Sequence, residues 1–214
     1  MKKSQQRYLK IKRILDISLA LTLLILTSPI LIITALLIKL TSKGPILYKQ
    51  KRPGKDKCIF TIFKFRTMRI ELTKNGRPLL DNERITFVGR ILRLTSIDEL
   101  PQIINILRGD MSFIGPRPFL VNDLGTYTLE QEVRFNVLPG ITSWTAIQGR
   151  NNLSIQEKYN LEIYYVKNFS LLLDIKIFFK TILVVLSTKN VVDTVNQPRI
   201  AEHFTDYEKK RSDK

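Results

Sequence analysis

One long apolar segment stands out in the pattern of hydrophobic and polar positions along the chain. Residues 17–38 are 22 residues without a charge. A helix of that length is about 33 Å long, which is enough to cross a bilayer core. Pro29 lies inside the segment, removes one backbone donor and clashes with the preceding turn. The pattern therefore predicts a helix, a break at Ser28 and Pro29, and a second helix.

Basic residues flank this segment on both sides, with six Lys and Arg in residues 1–13 and seven in residues 39–57. Cytoplasmic flanks of membrane segments favour Lys and Arg, and here both flanks qualify. The simplest topology is re-entrant: the chain enters the membrane, bends at Ser28 and Pro29, and leaves on the same, cytoplasmic face. Residues 1–13 are then a basic arm on the membrane surface. A true span is the alternative topology.

Shorter patterns predict the remaining elements. The run Cys58–Phe65, rich in Phe and Ile, predicts a strand with Cys58 as a buried thiol, and the polar run Tyr48–Gly54 is interpreted as a connector. An amphipathic helix follows, with apolar residues at i, i+3, i+4 and i+7, namely Leu100, Ile103, Ile104 and Leu107, and with Gly109 as its cap. Residues 153–168 are predicted to be helical, and residues 171–186 to form an interfacial or core helix.

These elements define the expected fold class and domains. The expected fold is α+β and predominantly helical, with a re-entrant helix-break-helix, interfacial amphipathic helices and a small β-hairpin or strand element. Residues 1–40 are predicted to hold the basic arm and membrane helix, residues 41–190 a cytosolic domain with membrane-interface helices, and residues 191–214 a charged tail.

The charge of the chain is distributed unevenly. Residues 1–120 contain 23 Lys and Arg against 8 Asp and Glu, whereas residues 121–214 contain 12 against 11. This asymmetry favours a polyanionic partner for the first half, such as anionic lipid, a phosphorylated substrate or nucleic acid, and the apolar segment favours bacterial membrane lipid. Cys58 is the only cysteine and His203 the only histidine, which excludes a disulfide framework and Cys-based or His-rich metal sites.

Two adjacent carboxylates, Asp98 and Glu99, open the amphipathic helix inside this basic half. One interpretation is purely structural, because Ser96 and Glu99 have the spacing of a capping box. The other is catalytic, because a carboxylate near guanidinium groups is ionised and can act as a nucleophile or a Mg²⁺ ligand. On this second interpretation Asp98, Gln102 and Asn105 share one helix face.

Several basic residues are candidates to accompany the acidic pair. Arg90 and Arg93 precede it, and Arg117 is held between two prolines. Carboxylates combined with several arginines are typical of phosphoryl transfer. Lys64 and Arg66 are candidates for binding either a substrate phosphate or lipid headgroups.

Many short stretches of the chain occur in an order and at a spacing that resemble a known family. They include Lys12, Arg13 and Asp16, Ser28-Pro29, Gly44-Pro45, Gln50 to Gly54, Phe60 to Met68, Ser96 to Gln102, Asn105, Gly109 to Ser112, and Gly115 to Pro118. From Lys12 to Thr181 the chain resembles the bacterial sugar transferase family, and within it the small monotopic phosphoglycosyl transferases. Such enzymes move a sugar-1-phosphate from a UDP-sugar to polyprenyl (undecaprenyl) phosphate and initiate glycoconjugate or polysaccharide synthesis.

The resemblance implies roles for matching positions. Asp98 is the implied nucleophile, which forms a covalent aspartyl-phosphosugar and releases UMP. Glu99 is implied to bind Mg²⁺ with Asp98 or to manage a proton. Arg93 is implied to engage polyprenyl phosphate and Arg117 the nucleotide or diphosphate. Lys64, Arg66 and Gln102 complete the expected substrate-binding set.

Two stretches depart from the family pattern and leave the sugar preference open. The chain has Ser143, Trp144, Thr145 and Ala146 where the family has Gly-Trp-Ala-Gln, and it has Glu162 where the family has Asp. The alternative function is a non-enzymatic, membrane-anchored adaptor that binds anionic lipid or nucleic acid, in which the acidic pair only caps a helix. The sequence does not specify the UDP-sugar, the pathway or the oligomeric state.

Overall fold

The computed structural model describes residues 1–71, 73–74, 77–149 and 153–186, and within them the protein is mostly helical with a few short strands. The helices are α1 Lys3–Thr41, α2 Asp81–Arg84, α3 Phe87–Thr95, α4 Ile103–Arg108, α5 Trp144–Gln148, α6 Ile155–Asn168 and α7 Leu171–Leu186. The strands are β1 Leu47–Pro53, β2 Ile59–Phe65, β3 Thr73–Lys74, β4 Arg77–Pro78, β5 Ser112–Ile114 and β6 Gly140–Thr142. The α+β, predominantly helical class predicted from the sequence is confirmed.

Helix α1 contains the whole apolar segment and passes through Pro29 as one continuous helix, so the predicted division into two separate helices was wrong. Pro29 has no N–H for the carbonyl of Ile25, and the Ser28 hydroxyl donates to that carbonyl at 2.8 Å instead. Thr27 similarly donates to the carbonyl of Leu23 at 2.7 Å. The Ser-Pro pair thus replaces one lost backbone bond with a side-chain bond, which matters most where no water is available.

One stripe of α1 packs against the rest of the protein in the first half of the helix and again near its end. Its buried residues are Gln5, Lys12, Asp16, Ala20, Thr34 and Ile38. The predicted basic arm is therefore the first part of α1. Among the described residues, α1 is the one helix long and apolar enough to cross a membrane. Its other face exposes Ile25, Leu26 and Leu40.

Both ends of α1 are fixed to the body by hydrogen bonds. The Gln5 amide donates to the carbonyl of Lys167 at 3.2 Å, and Lys12 forms a buried ion pair with Asp174 of α7 at 2.5 Å. At the other end, Arg66 donates to the carbonyls of Lys43 and Ser42 at 2.6 and 3.0 Å. A cation at this position complements the helix dipole and the unpaired carbonyls of a helix end.

Strands β1 and β2 form an antiparallel hairpin in which Tyr48 pairs with Lys64 and Pro53 with Ile59. The predicted strand is confirmed, but the interpretation of Tyr48–Gly54 as a connector was wrong. The run forms strand β1, in which Tyr48, Lys49 and Lys51 are exposed to solvent, so its polar side chains gave no strand pattern. Cys58 was also predicted wrongly, because it lies at the hairpin tip with an exposed side chain.

The expected amphipathic helix is divided into a 3₁₀ turn, Ile97–Gln102, and helix α4, which ends at Gly109 with φ +91° as predicted. Asn105 is fully buried rather than on an open polar face. Its amide donates to the carbonyl of Thr61 at 2.7 Å and its oxygen accepts from the N–H of Phe63 at 3.2 Å. Asn105 therefore joins α4 to strand β2.

Three apolar clusters form the core. The first contains Ile114, Val137, Trp144, Tyr165, Val166, Phe169 and Ile177; the second Ala20, Ile62, Ile103, Ile106 and Met111; the third Ile38, Phe65 and Leu92. The two halves of α1 thus contribute to the second and third clusters. Strands β5 and β6 pair in parallel beside the first cluster.

The last two predicted helices are confirmed as α6 and α7. Helix α7 buries Asp174 and Ile177 and exposes an apolar face made of Leu172, Ile175, Phe179, Ile182 and Leu183. The predicted division at residue 40 falls at the end of α1, and the predicted tail, residues 191–214, lies outside the described residues.

Candidate active site

The acidic pair is placed by the junction between α3 and the 3₁₀ turn. Helix α3 begins at Thr86, whose hydroxyl accepts from the N–H of Gly89 at 2.9 Å. It ends at Ser96, which adopts φ +57° and turns the chain sharply into the 3₁₀ turn that carries Asp98 and Glu99. Ser96 makes no side-chain cap bond, so the capping-box interpretation was wrong.

Glu99 pairs with a lysine from the β-hairpin. The Lys64 ammonium lies 2.6 Å from Glu99 Oε1, and each side chain is about one quarter exposed, at 26% and 24%. Lys64 stands at the base of the hairpin, where β2 packs against the 3₁₀ turn. Two predicted site residues separated by 35 positions are thereby brought together.

Asp98 lies in a partly buried position with cations on either side. Burial first, and then the negative charge of Glu99, raise the pKa of Asp98 to about 6, against the opposing effects of Lys64 and Arg93. Asp98 is therefore ionised at neutral pH, yet it is more basic than an ordinary aspartate. A basic, accessible carboxylate between cations is suited to attack an electrophilic phosphorus.

Arg93 joins this group from the last turn of α3. Its Nε donates to the Thr67 hydroxyl at 2.9 Å, and burial lowers the pKa of its guanidinium while Asp98 raises it. Arginine remains charged at any physiological pH, so the net effect is an orientated cation next to Asp98. Lys64, Arg93, Asp98 and Glu99 thus form one cluster.

The two carboxylates of this cluster can supply only some of the ligands that Mg²⁺ requires. Mg²⁺ in phosphoryl-transfer sites uses one or two carboxylates and completes its octahedron with water and substrate phosphates. Asp98 and Glu99 supply such a pair. Within the part of the chain that the structure describes, no group of three or more potential ligands is present. The chemistry of the residues therefore suits a metal that arrives with a phosphorylated substrate.

Arg117 lies away from the acidic pair, in the turn after β5. Its side chain is exposed, and it lines a small cavity with Pro53 and Gly54 of the hairpin tip. Pro53 is five residues from Tyr48, the partner of Lys64, which corresponds to about 17 Å along the strand. The hairpin therefore separates two groups of predicted site residues, with Arg117 at its tip and the acidic pair at its base.

Arg66 and Gln102 are both buried, at 7% and 3% exposure. Two guanidinium nitrogens of Arg66 bind the end of α1, as described above, while its Nε has no hydrogen-bond partner. Gln102 lies where the 3₁₀ turn meets α4. The substrate-binding roles assigned to these two residues remain predictions.

Sequence reasoning missed a buried charged pair next to Arg117. The Glu162 carboxylate accepts from the Arg117 N–H at 3.1 Å, and Arg134 donates to the Arg117 carbonyl. Burial raises the pKa of Glu162, and the positive charge of Arg134 opposes that shift. The only sequence signal for this pair was the replacement of the family's Asp by Glu162.

Known proteins are similar to this chain over most of its length. The profile of a family described as bacterial sugar transferase matches residues 7–188. The uncharacterized sugar transferase EpsL of Bacillus subtilis is 43% identical over 195 residues, which cover 91% of this chain and 96% of that protein. The exopolysaccharide production protein ExoY of Sinorhizobium fredii is 37% identical, with 80% and 83% covered. A UDP-glucose:undecaprenyl-phosphate glucose-1-phosphate transferase of Caulobacter vibrioides is 38% identical, with 84% and 71% covered.

Proposed function

The chain belongs to the bacterial sugar transferase family, and from this premise we propose that it transfers a sugar-1-phosphate from a UDP-sugar to polyprenyl phosphate and releases UMP. It is a phosphoglycosyl transferase, as the names of relatives such as the Caulobacter enzyme support. The observation that carries the specific mechanism is the environment of Asp98, a carboxylate with a pKa of about 6 that interacts electrostatically with Lys64 and Arg93.

The proposed reaction has two displacements at the same phosphorus. In the first, an Asp98 carboxylate oxygen attacks the phosphorus that carries the sugar, a P–O bond forms, and the P–O bond to UMP breaks. In the second, an oxygen of polyprenyl phosphate attacks that phosphorus and Asp98 leaves as a free carboxylate. Lys64 and Arg93 stabilise the negative charge that develops on the phosphoryl oxygens. No proton is consumed if the acceptor phosphate is ionised.

Asp98 and Glu99 are the residues that would hold Mg²⁺ in this proposal. When bound, the ion supplies positive charge that neutralises the diphosphate. Glu99 is paired with Lys64 in this structure, so the carboxylate that would meet the metal is already fixed in position next to Asp98.

A re-entrant arrangement of α1, with both ends on the cytoplasmic face, is part of the proposal. A straight helix of 39 residues would be about 58 Å long, whereas a compact body of the size of residues 42–186 is about 40 Å across. Gln5 at the start of α1 nevertheless binds Lys167 of this body, and the other end of α1 joins the body at Ser42, where Arg66 binds the helix end. A bend at Ser28 and Pro29 reconciles these contacts, and it would hold Asp98 at the depth of a lipid phosphate.

The reaction is tested by incubating the purified enzyme with Mg²⁺ and a donor alone. We expect UMP release of about one equivalent and a phosphosugar adduct on Asp98, detected by mass spectrometry, with UDP-glucose and UDP-N-acetylgalactosamine as first donors. The Asp98→Asn variant should form no adduct, whereas Asp56→Asn on the exposed hairpin tip should behave as wild type. Normal turnover by Asp98→Asn in the presence of polyprenyl phosphate would refute the nucleophile assignment.

The adaptor alternative makes a different prediction from the same variants. If the acidic pair only caps a helix, Asp98→Asn should leave membrane and lipid binding unchanged, and wild-type protein should release no UMP from any donor. The structure disfavours this alternative, because Ser96 and Glu99 do not form the cap on which it depends.

A further inference from the structure

The backbone of Arg117 is held from both sides by buried side chains of opposite charge. Its N–H donates to Glu162 Oε2 at 3.1 Å, and its carbonyl accepts from Arg134 Nη2. The neighbouring residues need no such contacts, because Pro116 and Pro118 have φ fixed by their rings. Between these two prolines, the two contacts therefore act on the residue whose φ the covalent chain leaves open.

The two charged residues are themselves firmly fixed. Glu162 is 1% exposed and Arg134 4% exposed. The second carboxylate oxygen of Glu162 accepts from the Thr145 hydroxyl, and the Arg134 guanidinium stacks 4.0 Å from the centre of the Phe119 ring. Burying two charges is unfavourable unless each is well compensated. Here part of that compensation comes from the main chain of a surface turn.

The rest of the turn is secured by strand β6. The Gly115 N–H donates to the carbonyl of Thr142 at 3.1 Å, and the Gly140 N–H donates to the carbonyl of Pro116 at 3.0 Å. A Cβ at Gly140 would lie 2.1 Å from the nitrogen of Gly115, so the two segments touch through their backbones. The contacts of Glu162 and Arg134 are therefore not the only attachment of the turn, and within the turn they bind Arg117.

We propose that Glu162 and Arg134 are positioning residues for the transfer reaction, which hold the backbone of Arg117 so that its exposed guanidinium points to the nucleotide end of the donor. This inference rests on the proposed function and extends it to two residues that do not touch the substrate. Arg117 lies at the hairpin tip, about 17 Å along the strand from the acidic pair. An extended nucleotide sugar would lie along the hairpin, with its phosphosugar at Asp98 and its nucleotide at Arg117.

The test compares three single variants with their double variants in steady-state assays. Glu162→Gln removes the negative charge at nearly constant shape, Arg134→Lys removes the planar guanidinium but keeps the charge, and Arg117→Ala removes the side chain that is being positioned. Each single variant should raise the KM for the UDP-sugar about tenfold, the effect of one charge-assisted hydrogen bond, with a smaller change in kcat. Combining either positioning variant with Arg117→Ala should raise KM no further than Arg117→Ala alone.

The outcomes separate positioning from a structural role. Glu130→Gln, which breaks the exposed ion pair with Lys167, is the matched control and should keep the wild-type KM. Any of three results would overturn the inference. The increases in KM could multiply in the double variants, the loss could be confined to kcat, or both Glu162→Gln and Arg134→Lys could fail to fold. The wild-type protein is assayed first. If it shows no turnover, the proposed function is refuted, independently of the variants.

Discussion

Asp98 is ionised at neutral pH, although the folded protein favours its protonated form more than water does. Its pKa of about 6 lies above the ordinary aspartate value because burial and Glu99 together outweigh Lys64 and Arg93. Functional groups are often held in such unfavourable environments, and their replacement commonly stabilises a protein while abolishing its activity. The sequence indicated the acidic pair and its arginines, but it could not indicate the sign of this pKa shift, which depends on burial.

Asp98→Asn is therefore expected to stabilise the protein. The folded state binds the Asp98 proton more tightly than the unfolded state, so ionised Asp98 lowers the free energy of unfolding above pH 6 and has no such effect below about pH 4. At pH 7 the variant should raise the free energy of unfolding by about 2–3 kcal/mol, or the Tm by about 4–12 °C. At pH 4 the difference should vanish.

Thermal unfolding in detergent with a chelator present measures this difference, because a bound divalent cation would change the pKa of Asp98. Asp56→Asn, an exposed position, serves as the control and should leave Tm unchanged. A lower Tm for Asp98→Asn at pH 7 would contradict the prediction and restore the capping interpretation.

Helices α1 and α7 are joined by a buried polar cluster that the sequence did not predict. Asp174 accepts from the Lys12 ammonium at 2.5 Å, from the Tyr8 hydroxyl at 2.7 Å and from the Tyr165 hydroxyl at 2.8 Å. The hydrophobic pattern identified both helices, but it gave no role to Asp174. The partner of Asp174 lies 162 positions away, and a single sequence contains no signal for a contact of that kind.

Asp174→Asn is expected to destabilise the protein by about 3–5 kcal/mol, because it leaves the buried Lys12 ammonium without its counter-ion. Denaturant-induced unfolding, followed by circular dichroism in detergent, measures this loss. The double variant Lys12→Met/Asp174→Leu should recover most of it, since no buried charge then remains unpaired. If the double variant did not recover this stability, the contacts of Asp174 with Tyr8 and Tyr165 would be the main source of the loss. Glu130→Gln should have no measurable effect, because its ion pair is exposed.

The whole molecule presents apolar surface on three helices. Exposed apolar residues lie on α1, on α3 at Phe87 and Ile91, and along one face of α7. Contiguous apolar surface of this kind marks membrane contact or a protein interface. With the re-entrant topology, these helices would contact one leaflet and the hairpin would project into the cytoplasm.

Cysteine labelling tests this topology. Cys58 is exposed, so it must first be replaced by serine, after which single cysteines are introduced at the exposed positions Ser4 and Lys43. With both ends of α1 in the cytoplasm, neither cysteine should react with an impermeant reagent in intact cells, and both should react after lysis. Reaction of just one of them in intact cells would exclude the re-entrant topology and favour a true span.

The sequence by itself determined the features that are local or periodic. Residues 17–38, the Ser28-Pro29 pair, the helices α4, α6 and α7, strand β2, and the acidic pair with its neighbouring arginines follow from composition, spacing and ordered short motifs. Tertiary structure decided the features that depend on burial or on distant partners. It paired Glu99 with Lys64, raised the pKa of Asp98, buried Asn105 against β2, and placed Glu162 and Arg134 on the backbone of Arg117. Each of these contacts joins residues far apart in the chain or depends on the removal of water, and neither leaves a repeating pattern in the sequence.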